Sequence, residues 1–190
     1  MANANFATDG VDVAVRNLPI DRTSDPELVV EQLIELRLVP VCSPRLIATH
    51  GPFMTPDVLT RVPLIHDDTL ANRVAVPTWA DWFKAAGVSG VDVSRGLRFN
   101  GADHALDATV EGAGILLAHD VLAYDEVRTG RLVTPFALTL RSGRAYYLVC
   151  ARRDRDRRNV QAFRNWIMQE VAALDWGIWR GGQARTVGQP

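Results

Sequence analysis

Lysine is almost missing from this chain: Lys84 stands alone beside twenty arginines. Cysteine is scarce as well, and Cys42 and Cys150 fall in no C-x-x-C or metal-ligand spacing, so buried, reduced thiols are expected. No stretch approaches the roughly 18 apolar residues that a membrane-spanning helix needs. The opening "MANANFATDG" has neither the basic nor the apolar region of a secretory leader, and a cytoplasmic protein is the expectation. Charge of one sign is lacking too. The formal net charge is -1, which excludes a global pull toward nucleic acid or an anionic membrane. Guanidinium suits carboxylate recognition, but a codon bias accounts for the arginine excess more simply.

Catalytic signatures are equally sparse. No G-x-S-x-G elbow occurs, and Ser142 in "LRSGR" lacks the glycines around it. The four histidines show no H-x-x-x-H or H-x-E spacing, so neither a metal nor any cofactor is implied. "HDD" at 66–68 holds suitable atoms, yet adjacent loop residues seldom aim at one ion. "ARRDRDRRN" at 151–159 sets five arginines against two aspartates and reads as a wet loop before a helix. No nucleophile–base pair is legible, and the chain is not expected to be an enzyme.

What is present is a chain of 190 residues, 47% of them hydrophobic, enough for one substantial domain or two small lobes. Strands are predicted at 11–16, 36–42, 63–66, 96–99, 114–118 and 144–150, with a further one in "RLVTPF". Helices are predicted where Ser43-Pro44 and Thr55-Pro56 supply starts, at 78–87, about 102–111, 120–130 and 159–174. Short strands alternating with helices give an α/β class with a largely parallel sheet. After 175 the glycine-rich "DWGIWRGGQARTVGQP" reads as a tail, with Trp176 and Trp179 free to dock.

"RFNGADHALDATVEGAGILLA" (98–118) contains a G-x-G, but it is not a phosphate loop. Phosphate loops place glycines before a helix, where free N–H groups face the anion. Here Gly112 and Gly114 follow the helix, and Gly112 fits a C-terminal cap. Asp103, Asp107 and Glu111 share one helix face, expected to be solvated. The informative end is "NGAD". Ligands of open α/β sheets sit at the carboxyl ends of strands, and three positions converge there: His66 after "PLI", Asn100 after "GLRF", and His119 after "ILLA".

"LVPVCSPRLIATHGP", "PLIHDD", "WADWFKAAGV", "SRGLRFNGADHALDATVEGAGILLA", "GRLVTPF", "AYYLVC" and "FRNWIMQE" occur in an order that resembles the LysR-type transcriptional regulators, most of all their glycine-cleavage-activator (GcvA-like) branch. The resemblance covers roughly residues 9–174 and concerns the effector-binding domain, which shares the fold of type 2 periplasmic binding proteins. It implies two α/β lobes joined by two crossover strands, "LVPVC" and "YYLVC", with a small effector between the lobes. One lobe would comprise 1–41 with 147–175, the other 42–146, and 176–190 a tail.

Asn100, Gly101 and Ala102 match the family's effector-contacting helix start, and His66 and His119 would face it. The family's helix-turn-helix has no counterpart here, nor has the opening strand and helix of the first lobe. The resemblance therefore implies an N-terminally truncated regulator with an incomplete first lobe. It would sense an effector and form a homodimer or tetramer, with candidate dimer surfaces near 43–62. DNA would be reached only through the missing helix-turn-helix, and no membrane contact is implied. Side-by-side crossover strands would also bring Cys42 and Cys150 near each other. A stand-alone small-molecule binding protein of the same fold is the alternative.

Overall fold

The computed structural model describes residues 5–6, 8–21, 25–70 and 76–180. These fall into two compact units. One holds the residues up to Leu36 with Gly143–Asp175; the other holds Arg37–Ser142 and the segment from Trp176. Two strands, β2 (Leu28–Val41) and β6 (Leu140–Ala151), carry the chain from one unit to the other.

In the first unit, β1 (Val13–Pro19) pairs antiparallel with β6, from Val13 opposite Cys150 to Pro19 opposite Arg144, and β6 neighbours β2. Alternation along these strands separates two faces. Ala145, Tyr147 and Val149 pack with Leu18, Leu28 and Val30 on one of them. Leu148 and Cys150 belong to the other, toward the helix α5 (Arg158–Ala173). The buried Arg144 guanidinium is satisfied at the strand ends by the Asn17 side-chain oxygen at 2.6 Å and its carbonyl at 2.7 Å.

The second unit has strand order β2-β5-β3-β4, with β3 at Leu64–Asp67, β4 at Leu97–Phe99 and β5 at Ile115–His119. Both β4 and β5 run parallel to β3, but β2 meets β5 antiparallel. The sheet is therefore mixed rather than largely parallel. Helix α1 (Pro44–His50) starts as its sequence dictates: Ser43 Oγ accepts the Leu46 N–H at 3.2 Å, proline opens it, and Gly51 ends it at φ +85°. Helix α2 (Trp79–Ala85) is fixed by Asp81, whose carboxylate accepts both the N–H and the hydroxyl of Thr78. Helices α3 (Ala102–Val110) and α4 (Asp120–Arg128) flank β5.

Two predictions from pattern do not hold. "TPDVLT" forms a 3-10 turn at Pro56–Thr60 rather than an α-helix. "RLVTPF" contributes only a bridge between Val133 and Cys42, because Pro135 ends any ladder there. Trp176–Arg180, placed in the tail, forms a 3-10 turn whose Trp179 is buried among Ile65, Leu116 and Ala118. Cys42 and Cys150 are both free and buried, and burial pushes the Cys42 thiol up to about 12.

Gly112 adopts φ +86° behind α3, as a cap residue should. Gly114 serves a different need. A Cβ there would lie 2.5 Å from the Pro63 carbonyl oxygen and 3.1 Å from Ile65 Cγ1, so only glycine lets β5 enter alongside β3. Gly114→Ala is expected to destabilise the chain by about 1–3 kcal/mol in urea denaturation. Asp107→Ala, on the exposed face of α3, should stay within about 0.5 kcal/mol of wild type.

Candidate functional site

The strands of the second unit present one parity to α2. Leu64, Ile115 and Leu117 pack there with Trp79, Trp82, Phe83 and Phe136, in a core of aromatic rings 5.5 to 5.7 Å apart. His66 continues the parity of Leu64 past the core, and Arg98 lies opposite it in β4. The apolar layer thus ends where the strands end. There a cavity of about 250 Å³ opens, lined by His66, Asp68, Arg98, Leu117, Thr78 and Trp79, among others.

Each polar wall group is held by a neighbour. The Arg98 guanidinium grips Asp68 through both carboxylate oxygens, at 2.9 and 2.7 Å. The Trp79 indole N–H donates to the Ile65 carbonyl at 2.9 Å, fixing the ring as an apolar wall. His66 Nε2 lies 2.9 Å from the Arg95 carbonyl oxygen. A carbonyl only accepts, so Nε2 carries the hydrogen, and in the neutral ring Nδ1 is the acceptor. Among the described residues no cluster of three or more histidine, cysteine or acidic side chains could hold a metal.

The predicted site residues divide. His66 lines the cavity; Asn100, Gly101, Ala102 and His119 do not. Asn100 is exposed, two residues beyond Arg98. Gly101, not Asn100 or Asp103, is the N-cap of α3, and no side chain caps that helix. His119 is buried opposite Leu38 and immediately precedes α4. The strand register nevertheless brings His66, Asn100 and His119 to the same edge of the sheet, since β3 is parallel to both β4 and β5. Sequence reasoning missed Arg98, Asp68 and Trp79. Arg98 joins the site through its cross-strand register opposite His66, and nothing local announces that Asp68 pairs with it across thirty positions.

The profile of the LysR substrate binding domain matches residues 5–172. The chain belongs to the LysR substrate-binding domain family. Its relatives include the glycine cleavage system transcriptional activator of Escherichia coli (strain K12), 36% identical over an alignment 190 positions long that covers 91% of this chain and 60% of that protein. The activator homolog of Haemophilus influenzae is 30% identical over 144 residues, covering 76% of this chain and 46% of its own. This LysR-family chain thus spans about 60% or less of the length of these curated relatives, which are transcriptional regulators.

The fold is that of LysR effector-binding domains. The effector domain of AmpR from Pseudomonas aeruginosa superposes with a TM-score of 0.66 at 23% identity, over 90% of this chain and 76% of that one. The CrgA regulatory domain of Neisseria meningitidis gives 0.60 at 17%, over 88% and 78%. These are periplasmic-binding-protein-like folds, as the sequence blocks implied. Among the described residues no helix is long and apolar enough to cross a membrane.

Asp120, next to His119, gives the region a pH signature. Burial raises its pKa, against the opposing N–H groups of Arg37 and Val121, at 3.3 and 2.9 Å, and the Arg37 charge. The folded form therefore keeps this proton to higher pH than the unfolded chain does. Its contribution favours folding most below the ordinary aspartate range and declines as pH rises through that range to the raised value. Asp120→Asn keeps an oxygen acceptor and removes the titration. In urea midpoints measured between about pH 3 and pH 7, the wild type is expected to lose stability relative to Asp120→Asn as pH rises, then run parallel to it.

Proposed function

We propose that this chain is the effector-sensing and oligomerisation part of a LysR-type transcriptional regulator, and that it works by binding rather than catalysis. The observation that carries the reading is the cavity at the carboxyl ends of β3, β4 and β5, where an apolar core gives way to His66, Arg98 and Asp68. Its 250 Å³ falls just below the roughly 300–1,000 Å³ of drug-sized sites, which suits an effector the size of an amino acid or small acid. His66 would contact it directly. Asn100, Gly101, Ala102 and His119 would complete the site from the same sheet edge, the uncapped start of α3 offering backbone N–H groups.

Family membership supports the rest of the proposal: two lobes near 1–41 with 147–175 and 42–146, a homodimer or tetramer in the cytoplasm, and DNA contacted through a helix-turn-helix outside these residues. The effector would shift the population between two arrangements of the regulator by binding one of them better. A carboxylate effector would compete with Asp68 for the Arg98 fork, and Asp68 heads the 3-10 turn Asp68–Leu70. Exchange on Arg98 would therefore release that turn.

The test is a titration of the isotope-labelled chain with the proteinogenic amino acids and small dicarboxylates. At least one compound is expected to move the Trp79 indole and His66 amide signals. Val76→Trp, which crowds the cavity rim, should weaken that compound about tenfold or more. Signals that move only elsewhere, or an affinity indifferent to Val76→Trp and His66→Ala, would overturn the proposal.

A further inference from the structure

Helix α2 ends in a closure that leaves a groove beside it. Gly87 turns to φ +71°, its N–H reaches the Lys84 carbonyl at 3.2 Å, and the Val88 N–H reaches back to the Phe83 carbonyl at 3.0 Å. The Ala86 N–H takes the Trp82 carbonyl at 2.9 Å. These bonds satisfy the carbonyls of the last turn and bring Val88 beside Phe83, the apolar pair that accompanies such a closure. The chain runs on through Val91 and Val93, which with Val88 pack half-buried on the aromatic core. Between this segment and the flank of α2 lies an open groove of about 440 Å³, floored by Phe83 and the three valines.

One charge stands on its wall. Ala80, Lys84 and Gly87 fall four and three residues apart on one stripe of the helix, so helical geometry sets the chain's single lysine along the groove. Among the described residues no carboxylate lines it. Two lie near in sequence, and both are turned elsewhere. Asp81 gives one oxygen to the N–H and hydroxyl of Thr78, at 2.7 and 2.9 Å, and these bonds, ahead of the Lys84 charge, hold its carboxyl below the usual range. Asp92 alternates with Val91 and Val93. It gives one oxygen to the N–H and hydroxyl of Ser94, at 3.0 and 2.6 Å, and lines a neighbouring cavity with Arg95. Among the described residues Lys84 forms no ion pair, and the N–H groups of Ser89 and Gly90, also on the wall, donate to no protein group. The groove therefore carries one charge, positive, beside open donors and over an apolar floor.

We propose that this groove is a second binding site, for a small aliphatic carboxylate. Its head would meet Lys84 and the N–H groups of Ser89 and Gly90, and its chain would lie on Phe83 and the valines. The volume falls within the range of small-molecule sites. An aliphatic cation would meet the ammonium with no carboxylate to oppose it. A neutral chain of the same shape would cover the lysine and leave its ammonium without a partner. Trp79, on the same helix, lines the cavity at His66, but the two sites share no lining residue.

The single lysine makes the test direct, because lysine-selective isotope labelling of the 190-residue chain gives one side-chain signal. Three probes of one shape are titrated: hexanoate, hexanol and hexylammonium. Hexanoate is expected to move the Lys84 signal and the Val88, Ser89 and Gly90 amides together, to saturation, and the other two to bind several-fold more weakly. Lys84→Gln should weaken hexanoate about three- to fivefold, the range of a solvent-exposed ion pair, and Lys84→Arg should restore most of the loss. Ala80→Phe, at an exposed helix position, fills the groove and should abolish the shifts, while the two Lys84 variants keep the test decisive if that variant unfolds. Equal binding of the three probes, indifference to Lys84→Gln, or a Lys84 shift without those of Val88 and Gly90 would each overturn the proposal. Hexanoate shifts confined to His66, Arg98 and Trp79 would overturn it too. A failed effector titration at His66 leaves this result unaffected, since the two sets of signals are separate.

Discussion

Strand β5 is the constraint on which the second unit depends. All five of its residues are buried, and it is hydrogen-bonded on both sides, antiparallel to β2 and parallel to β3. Its alternation divides the interior. Ile115 and Leu117 load the aromatic core around α2, while Leu116 and Ala118 load the layer of α3, α4 and Trp179. A slip of one residue would exchange these two sets. The register is guarded at its start by Gly114, pressed against the Pro63 carbonyl, and at its end by the turn into α4. Leu117 reaches the cavity at His66 only because this register holds.

Local chemistry made much of this architecture readable. Ser43-Pro44 and Gly51 bound α1, Gly112 and Gly130 close their helices at positive φ, and the W-x-x-W-F spacing puts Trp79, Trp82 and Phe83 inward. Each of these rests on a few adjacent residues. What the sequence hid is non-local. Parallel and antiparallel partners of a strand leave the same alternation, so the β2–β5 pairing was invisible. "RLVTPF" looks like a strand because leucine, valine and threonine run up to a proline whose effect on the ladder depends on its neighbours. The site shows the same divide: His66 was readable as a strand end, whereas Arg98 and Asp68 acquire a role only through each other.

A cavity of about 380 Å³ in the first unit, between β2, β6 and α5, is built by the same rule as the one at His66 and differs in electrostatics. Each forms where an apolar stripe ends and a guanidinium–carboxylate fork takes over, Arg98 with Asp68 in one and Arg164 with Glu31 in the other. At His66 the fork itself is the exposed polar wall. In the first unit the fork ties α5 to β2, and Arg155 and Asp156, of opposite charge, lie together on the same wall.

That difference bears on which contacts a ligand is able to alter. A bound molecule shifts an equilibrium only by its difference in affinity between two states. The contact it replaces must therefore be weak enough to give way. The aromatic core around Trp82 is dry and interlocked, and truncating any ring there would cost several kcal/mol, roughly 3–5 by analogy with other cores. The Arg98–Asp68 pair is 53% and 30% exposed, and ion pairs in water contribute little. Between these extremes the rim of the cavity at His66 is the soft element and its floor the rigid one. A sensor needs both in contact, and Trp79, bonded to Ile65 on one side and facing the cavity on the other, is where they meet.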